Sequence, residues 1–174
     1  TLAEGTTLTN KDGSDTIVVE YGGSLTINGT GTVDNVSHQK AAIYNSGTVT
    51  INGGTYDRSM ETGVNADVSG DNSYYVILNH GIMTINNGII NQDGGFSSMI
   101  DNGYFDYGAT DPRSGYVEGS NHAAPSLTIY NGSFSGGLNT VKNDDGATLT
   151  IYNGTFENVS QAIVQNHSSV TING

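Results

Sequence analysis

The chain has no cysteine, no tryptophan and only two prolines among 174 residues. Without thiols there is no disulfide staple and no thiolate metal site. Scarce proline beside 25 glycines argues against a disordered linker, where both are usually enriched. The glycines suit a fold with many tight turns, since glycine reaches positive φ without strain. Basic residues are also few: 5 Lys and Arg against 17 Asp and Glu, a net charge of −12. So acidic a surface repels phosphate backbones and anionic bilayers, which excludes nucleic acid and membrane insertion as expected partners. No run approaches the roughly 20 apolar residues of a membrane helix. The sequence opens at Thr1 with neither initiator Met nor signal peptide, so a processed product or an excised segment of a longer parent is expected.

What the chain does have is a repeat. Leu25-Thr26-Ile27-Asn28-Gly29 returns as Val49-Thr50-Ile51-Asn52-Gly53 and as Met83-Thr84-Ile85-Asn86-Asn87-Gly88. It continues with Leu127-Thr128-Ile129-Tyr130-Asn131-Gly132, Leu149-Thr150-Ile151-Tyr152-Asn153-Gly154 and Val170-Thr171-Ile172-Asn173-Gly174. The isoleucines lie 24, 34, 44, 22 and 21 residues apart. The short spacings give a bare coil of about 21–24 residues, and the long ones contain insertions. A second phrase precedes the first. Val19, Ile43, Ile77 and Val164 each stand eight residues before the corresponding isoleucine, and Val141 stands ten before Ile151. A short Thr/Ser-aromatic piece follows, as in Thr55-Tyr56, Ser133-Phe134 and Thr155-Phe156.

Within each phrase the apolar residues alternate at period two, so Leu25 and Ile27 face in and Thr26 faces out. β-branched residues dominate, and glycine recurs too often for helices. A meander of hairpins would not repeat the same inward residues at one coil length. A single coil cannot bury its own apolar face, whereas stacking supplies a core. The expected fold is all-β: one right-handed parallel β-helix over residues 1–174, of about six coils. Residues 1–16 are read as an N-terminal cap, and residues 57–73 and 103–125 as two loop insertions. The C-terminal edge is read as open, covered in the parent by more chain or a second subunit, with a homo-oligomer as one outcome. Two asparagine ladders are expected, one through Asn45, Asn79, Asn102, Asn143 and Asn166. The other runs through Asn28, Asn52, Asn87, Asn131, Asn153 and Asn173.

These phrases, above all residues 25–30 and 49–56, resemble the pectate-lyase-like β-helix repeats. Such repeats occur in surface proteins of Gram-positive, often gut-dwelling, bacteria and in structural proteins of their phages. The resemblance covers about residues 15–174. It implies the fold, and it leaves polysaccharide lyases, hydrolases, tailspikes and non-catalytic adhesive modules all in view.

The residues offer little for catalysis. Asn143-Asp144-Asp145-Gly146 and Asn79-His80-Gly81 are similar to polygalacturonase motifs, but they occupy the same turn as Asn45-Ser46-Gly47 and Asn166-His167-Ser168, so the repeat already explains them. The two arginines available to a lyase, Arg58 and Arg113, fall in insertions. The candidate glycan-binding site is the insertion around 101–122. It holds Tyr104, Phe105, Tyr107 and Tyr116 among Asp101, Asp106, Asp111, Arg113, Glu118 and His122, apolar rings beside directional hydrogen-bonding groups. Tyr130 and Tyr152, equivalent on successive coils, add an exposed aromatic pair. Plain packing of these aromatics on the solenoid is the competing account. Catalytic residues and a metal site are not expected: the four histidines lack metal spacing, and calcium has oxygen ligands but no Asp-x-Asp-x-Asp-Gly run.

The leading expectation is a non-enzymatic extracellular module, an adhesive or carbohydrate-binding surface of a bacterial surface protein. Its partner would be a glycan or a host-surface receptor. A phage virion component used in host attachment, such as a fibre, spike or capsid decoration, is the alternative. A polysaccharide lyase or hydrolase comes third. An ice-binding protein comes fourth, suggested by the outward column Thr26, Thr50, Thr84, Thr128, Thr150 and Thr171 and weakened by Ile82 in the neighbouring column.

Overall fold

The computed structural model describes residues 1–60, 74–104 and 124–173. It contains eighteen strands and no helix among these residues. They form three six-stranded sheets, every named pairing parallel. The first sheet holds β1 (Thr7–Asn10), β4 (Thr32–Asn35), β7 (Thr55–Asp57), β10 (Ile89–Gln92), β13 (Ser133–Gly136) and β16 (Thr155–Glu157). The second holds β2 (Ile17–Val19), β5 (Ile43–Asn45), β8 (Ile77–Asn79), β11 (Ile100–Asn102), β14 (Val141–Asn143) and β17 (Val164–Asn166). The third holds β3 (Ser24–Ile27), β6 (Thr48–Ile51), β9 (Ile82–Ile85), β12 (Ser126–Ile129), β15 (Thr148–Ile151) and β18 (Ser169–Ile172). The chain visits the three sheets in rotation, which makes a right-handed parallel β-helix of about six coils. Each strand pairs with its counterparts one coil away, so the strand-to-strand spacing of about 4.8 Å is also the rise per coil.

The inward positions stack as the repeat requires. Ile27, Ile51, Ile85, Ile129, Ile151 and Ile172 are successive register partners. Val33, Tyr56, Ile90, Phe134 and Phe156 form the equivalent stack on the first sheet. The rings of Phe134 and Phe156 lie 4.6 Å apart and nearly parallel. These columns meet in one continuous interior cluster. Its shelter fails at the last coil: Ile151 is 5% exposed and Ile172 is 66% exposed. The first residues join the solenoid too. β1 pairs with β4, and Leu2, itself buried, bridges to Gly29.

Two registers differ from the sequence expectation. Val19 does not align with Ile43; Ile17 does, and Val19 stands opposite Asn45. The first coil therefore carries the ten-residue spacing of Val141 to Ile151, and the first ladder begins only at Asn45. From there it runs unbroken. Asn45 donates to Asn79 at 2.7 Å, Asn79 to Asn102 at 2.7 Å, Asn102 to Asn143 at 2.8 Å and Asn143 to Asn166 at 2.7 Å. Each of these four side chains also donates to a backbone carbonyl of the following coil, at Ile82, Ser126, Thr148 and Ser169.

The second ladder is shorter than expected. Asn52 donates to Asn28 at 2.8 Å and Asn86 to Asn52 at 2.7 Å. The third rung is Asn86, not Asn87, and the next two are Tyr130 and Tyr152. The backbone fixes this: Asn86 N donates to Ile51 O, Tyr130 N to Ile85 O and Tyr152 N to Ile129 O. Counting back from the Asn-Gly pair selects the wrong residue, because the turn from Ile85 to Ile89 holds glycine one place later than Gly53.

Candidate functional site

The third sheet shows its outer surface in three columns. The central column is Thr26, Thr50, Thr84, Thr128, Thr150 and Thr171, in register throughout. One flanking column is Ser24, Thr48, Ile82, Ser126, Thr148 and Ser169. The other follows each strand: Asn28, Asn52, Asn86, Tyr130, Tyr152 and Asn173. Alternation about the buried isoleucines turns all three columns outward. All eighteen positions (three on each of six coils) are exposed or half-exposed, and none is charged.

Tyr130 and Tyr152 interrupt the amide column with a stacked pair. Their centroids lie 4.9 Å apart with only 2° between the ring planes, and the residues are 48% and 46% exposed. Each ring covers one face of the other. One face of each ring is thus spent on the other, and the pair offers solvent its hydroxyls and its remaining ring surface. Sugar recognition here would combine hydrogen bonding to the phenol oxygens with apolar contact on the exposed ring surface.

Of the residues expected around 101–122, only Asp101 and Tyr104 fall within the described part. Phe105, Asp106, Tyr107, Asp111, Arg113, Tyr116, Glu118 and His122 lie outside it. Tyr104 is buried. Its ring stacks on His80 with centroids 4.5 Å apart, His80 meets Tyr44 edge-on at 5.5 Å, and the Tyr104 backbone bridges to Asp145. Tyr104 thus belongs to the wall at the base of the insertion and is not presented to a ligand.

Sequence reasoning missed an ionic cluster beside it. Asp101 and Lys142 are register partners on the outer side of the second sheet. Lys142 Nζ lies 2.6 Å from Asp144 Oδ2, and His167 Nδ1 lies 3.2 Å from Asp144 Oδ1. Burial pushes the Asp101 carboxyl well above the usual carboxylate range, and the Asp144 charge pushes it further; Lys142 and a hydrogen bond with Tyr75 oppose the shift. Its Oδ1 has no hydrogen-bond partner. Asp101 and Asp144 are 1% and 0% exposed, so the cluster is closed to a polymeric substrate. Aligning Leu78, Asp101 and Lys142 on one outward column was the signal that could have found it.

Arg58 is likewise held in the wall. It is 1% exposed, its guanidinium donates twice to Ser37 O at 3.3 and 3.2 Å, and it sits 6.0 Å from the Tyr74 ring centroid. It ties down a corner of the solenoid, as Asn35, Gln92 and Asn158 do through their own bonds to turn carbonyls. Among the described residues no group of three or more His, Cys, Asp or Glu is placed to hold a metal ion. Comparison with family models, with curated proteins and with solved structures returns no match.

Proposed function

We propose that this chain is a non-enzymatic extracellular β-helix module whose outer surface adheres to carbohydrate, as part of a surface protein. The carrying observation is the exposed Tyr130–Tyr152 pair set in a field of threonine hydroxyls and asparagine amides on the third sheet. Hydroxyls and amides both donate and accept, as glycans require. The parallel ladder fixes their positions before binding, which lowers the entropy lost on association. Arg58, weighed above for lyase chemistry, is committed to Ser37 O, and the Asp101–Asp144 carboxylates are buried.

The test is retention on an immobilised glycan array. The double variant Tyr130→Phe/Tyr152→Phe keeps the stack and removes the hydroxyls. It is expected to bind several-fold more weakly, each lost hydrogen bond contributing about 0.5–1.5 kcal/mol, with the melting transition nearly unchanged. Wild-type protein that retains no glycan would overturn the proposal.

A further inference from the structure

We infer that the third sheet docks neutral, extended polysaccharide chains, and that acidic glycans are not its ligands. The assignment rests on the glycan-binding reading above and deepens it by naming the face and the ligand class.

The distribution of charge carries it. The chain bears a net charge of −12. The first sheet turns Asp57 and Glu157 out towards solvent, with Asp34 in the same outward register but buried beneath Ser59. The second places Asp101 and Lys142 at outward register positions, where both side chains are buried. The third turns out eighteen side chains without a single ionisable acid or base other than two tyrosines. A face kept free of charge on so acidic a molecule has no ionic handle for a charged partner. The surrounding field repels polyanions such as polygalacturonate. What the face offers is uncharged: hydroxyls, amides and threonine methyls on a regular grid. One spacing is the coil rise of about 4.8 Å; the other is two residues along a strand, about 6.6 Å. A neutral polymer of repeating hydroxylated rings matches that chemistry, and its many weak contacts add through multivalency.

The size of the face points the same way. Six strands and three columns span about 24 Å by about 13 Å, on the order of 300 Å². Stable protein–protein interfaces bury about 800 Å² per partner. A second copy of this chain, or another compact protein, would find too little area here. A polymer chain needs only a strip.

The experiment is affinity electrophoresis of the whole chain in gels containing glucomannan, xyloglucan, laminarin or polygalacturonate, at low and high salt. Retardation by at least one neutral polymer, insensitive to salt, is expected. Thr84→Asp/Thr128→Asp should weaken that retardation at least about tenfold by placing desolvated like charges on the face. Ser133→Asp/Thr155→Asp on the first sheet should leave it unchanged, and circular dichroism checks that both variants fold. If neutral polymers bind but Thr84→Asp/Thr128→Asp binds equally well, the face is wrong while glycan binding stands. Salt-sensitive binding confined to polygalacturonate overturns the ligand class in the same way. Thermal hysteresis without polymer binding, or dimers abolished by the same double variant, would assign the face to ice or to a second copy and overturn the inference. Retardation by no glycan at all sinks both the inference and the reading beneath it.

Discussion

Replacing Asn79 should show how much of the fold is held by one buried column of amides. Asn79 is fully buried on β8. Its Oδ1 accepts from Asn45 Nδ2 at 2.7 Å and from Gly81 N at 3.3 Å. Its Nδ2 donates to Asn102 Oδ1 at 2.7 Å, and to Gly81 O and Ser126 O at 3.1 Å each. Asn79→Ala removes all of these and leaves Asn102 Oδ1 without its ladder donor. At about 1 kcal/mol net for each bond, the loss is roughly 4–5 kcal/mol. That is a large part of the 5–15 kcal/mol typical of a domain. Asn166, at the end of the same ladder, is exposed; water replaces its partners, and Asn166→Ala should cost about 1 kcal/mol or less. Asn79→Asp is the sharper variant. An ionised carboxylate only accepts, so it would set oxygen against Asn102 Oδ1 and bury a charge. It should destabilise more than alanine at neutral pH and recover towards acid, where protonation restores one donor. Urea titration followed by far-ultraviolet circular dichroism measures all three. A loss for Asn79→Ala no greater than that for Asn166→Ala would refute the reasoning.

Gly136→Ala should destabilise by more than the ~1 kcal/mol of ordinary glycine preferences. Gly136 has φ of +100°, and an added Cβ would overlap the carbonyl oxygen of Gln92; the urea midpoint checks it, and an unchanged midpoint contradicts it. Asp101→Asn tests the closed cluster. Because the Asp101 carboxyl is raised in the folded chain, the stability it contributes is complete below the ordinary carboxylate range and is lost as pH rises through the raised value. Wild-type midpoints should therefore fall over that window more steeply than those of the variant. Parallel pH profiles for the two proteins would contradict the assignment.

Much of this architecture was legible in the sequence because a solenoid writes its three-dimensional neighbours as equal positions in successive phrases. Ile27, Ile51 and Ile85 announced one column, and Asn79, Asn102 and Asn143 another. The misreadings share a cause. A constant eight-residue offset from the isoleucine misplaces Val19, and counting back from the Asn-Gly pair misplaces Asn87, since turns of unequal length separate phrases of equal length. The inward isoleucine keeps register, because packing and backbone bonds both act on it; the Asn-Gly pair does not. The site was less legible. Alternation gave the outward threonines, but it could not show that Tyr130 and Tyr152 each spend one ring face on the other. Nor could it show that Arg58 turns back to Ser37, or that Lys142 folds down onto Asp144. Those outcomes depend on rotamers and on which neighbour is nearer, which periodicity does not encode.

The amide column through Asn45 and Asn166 has a direction. Each rung from Asn45 to Asn143 donates to the amide of the coil on the C-terminal side, while the shorter column through Asn28 and Asn86 donates the other way. The rod consequently has a head and a tail, written in two opposed arrows of hydrogen bonds. A duplicated coil can slot into its middle and find matching hands above and below, but an inverted one finds donors facing donors. Growth by tandem duplication is thus permitted in one orientation only, and the length of such a rod can drift while its grip on each neighbour stays the same.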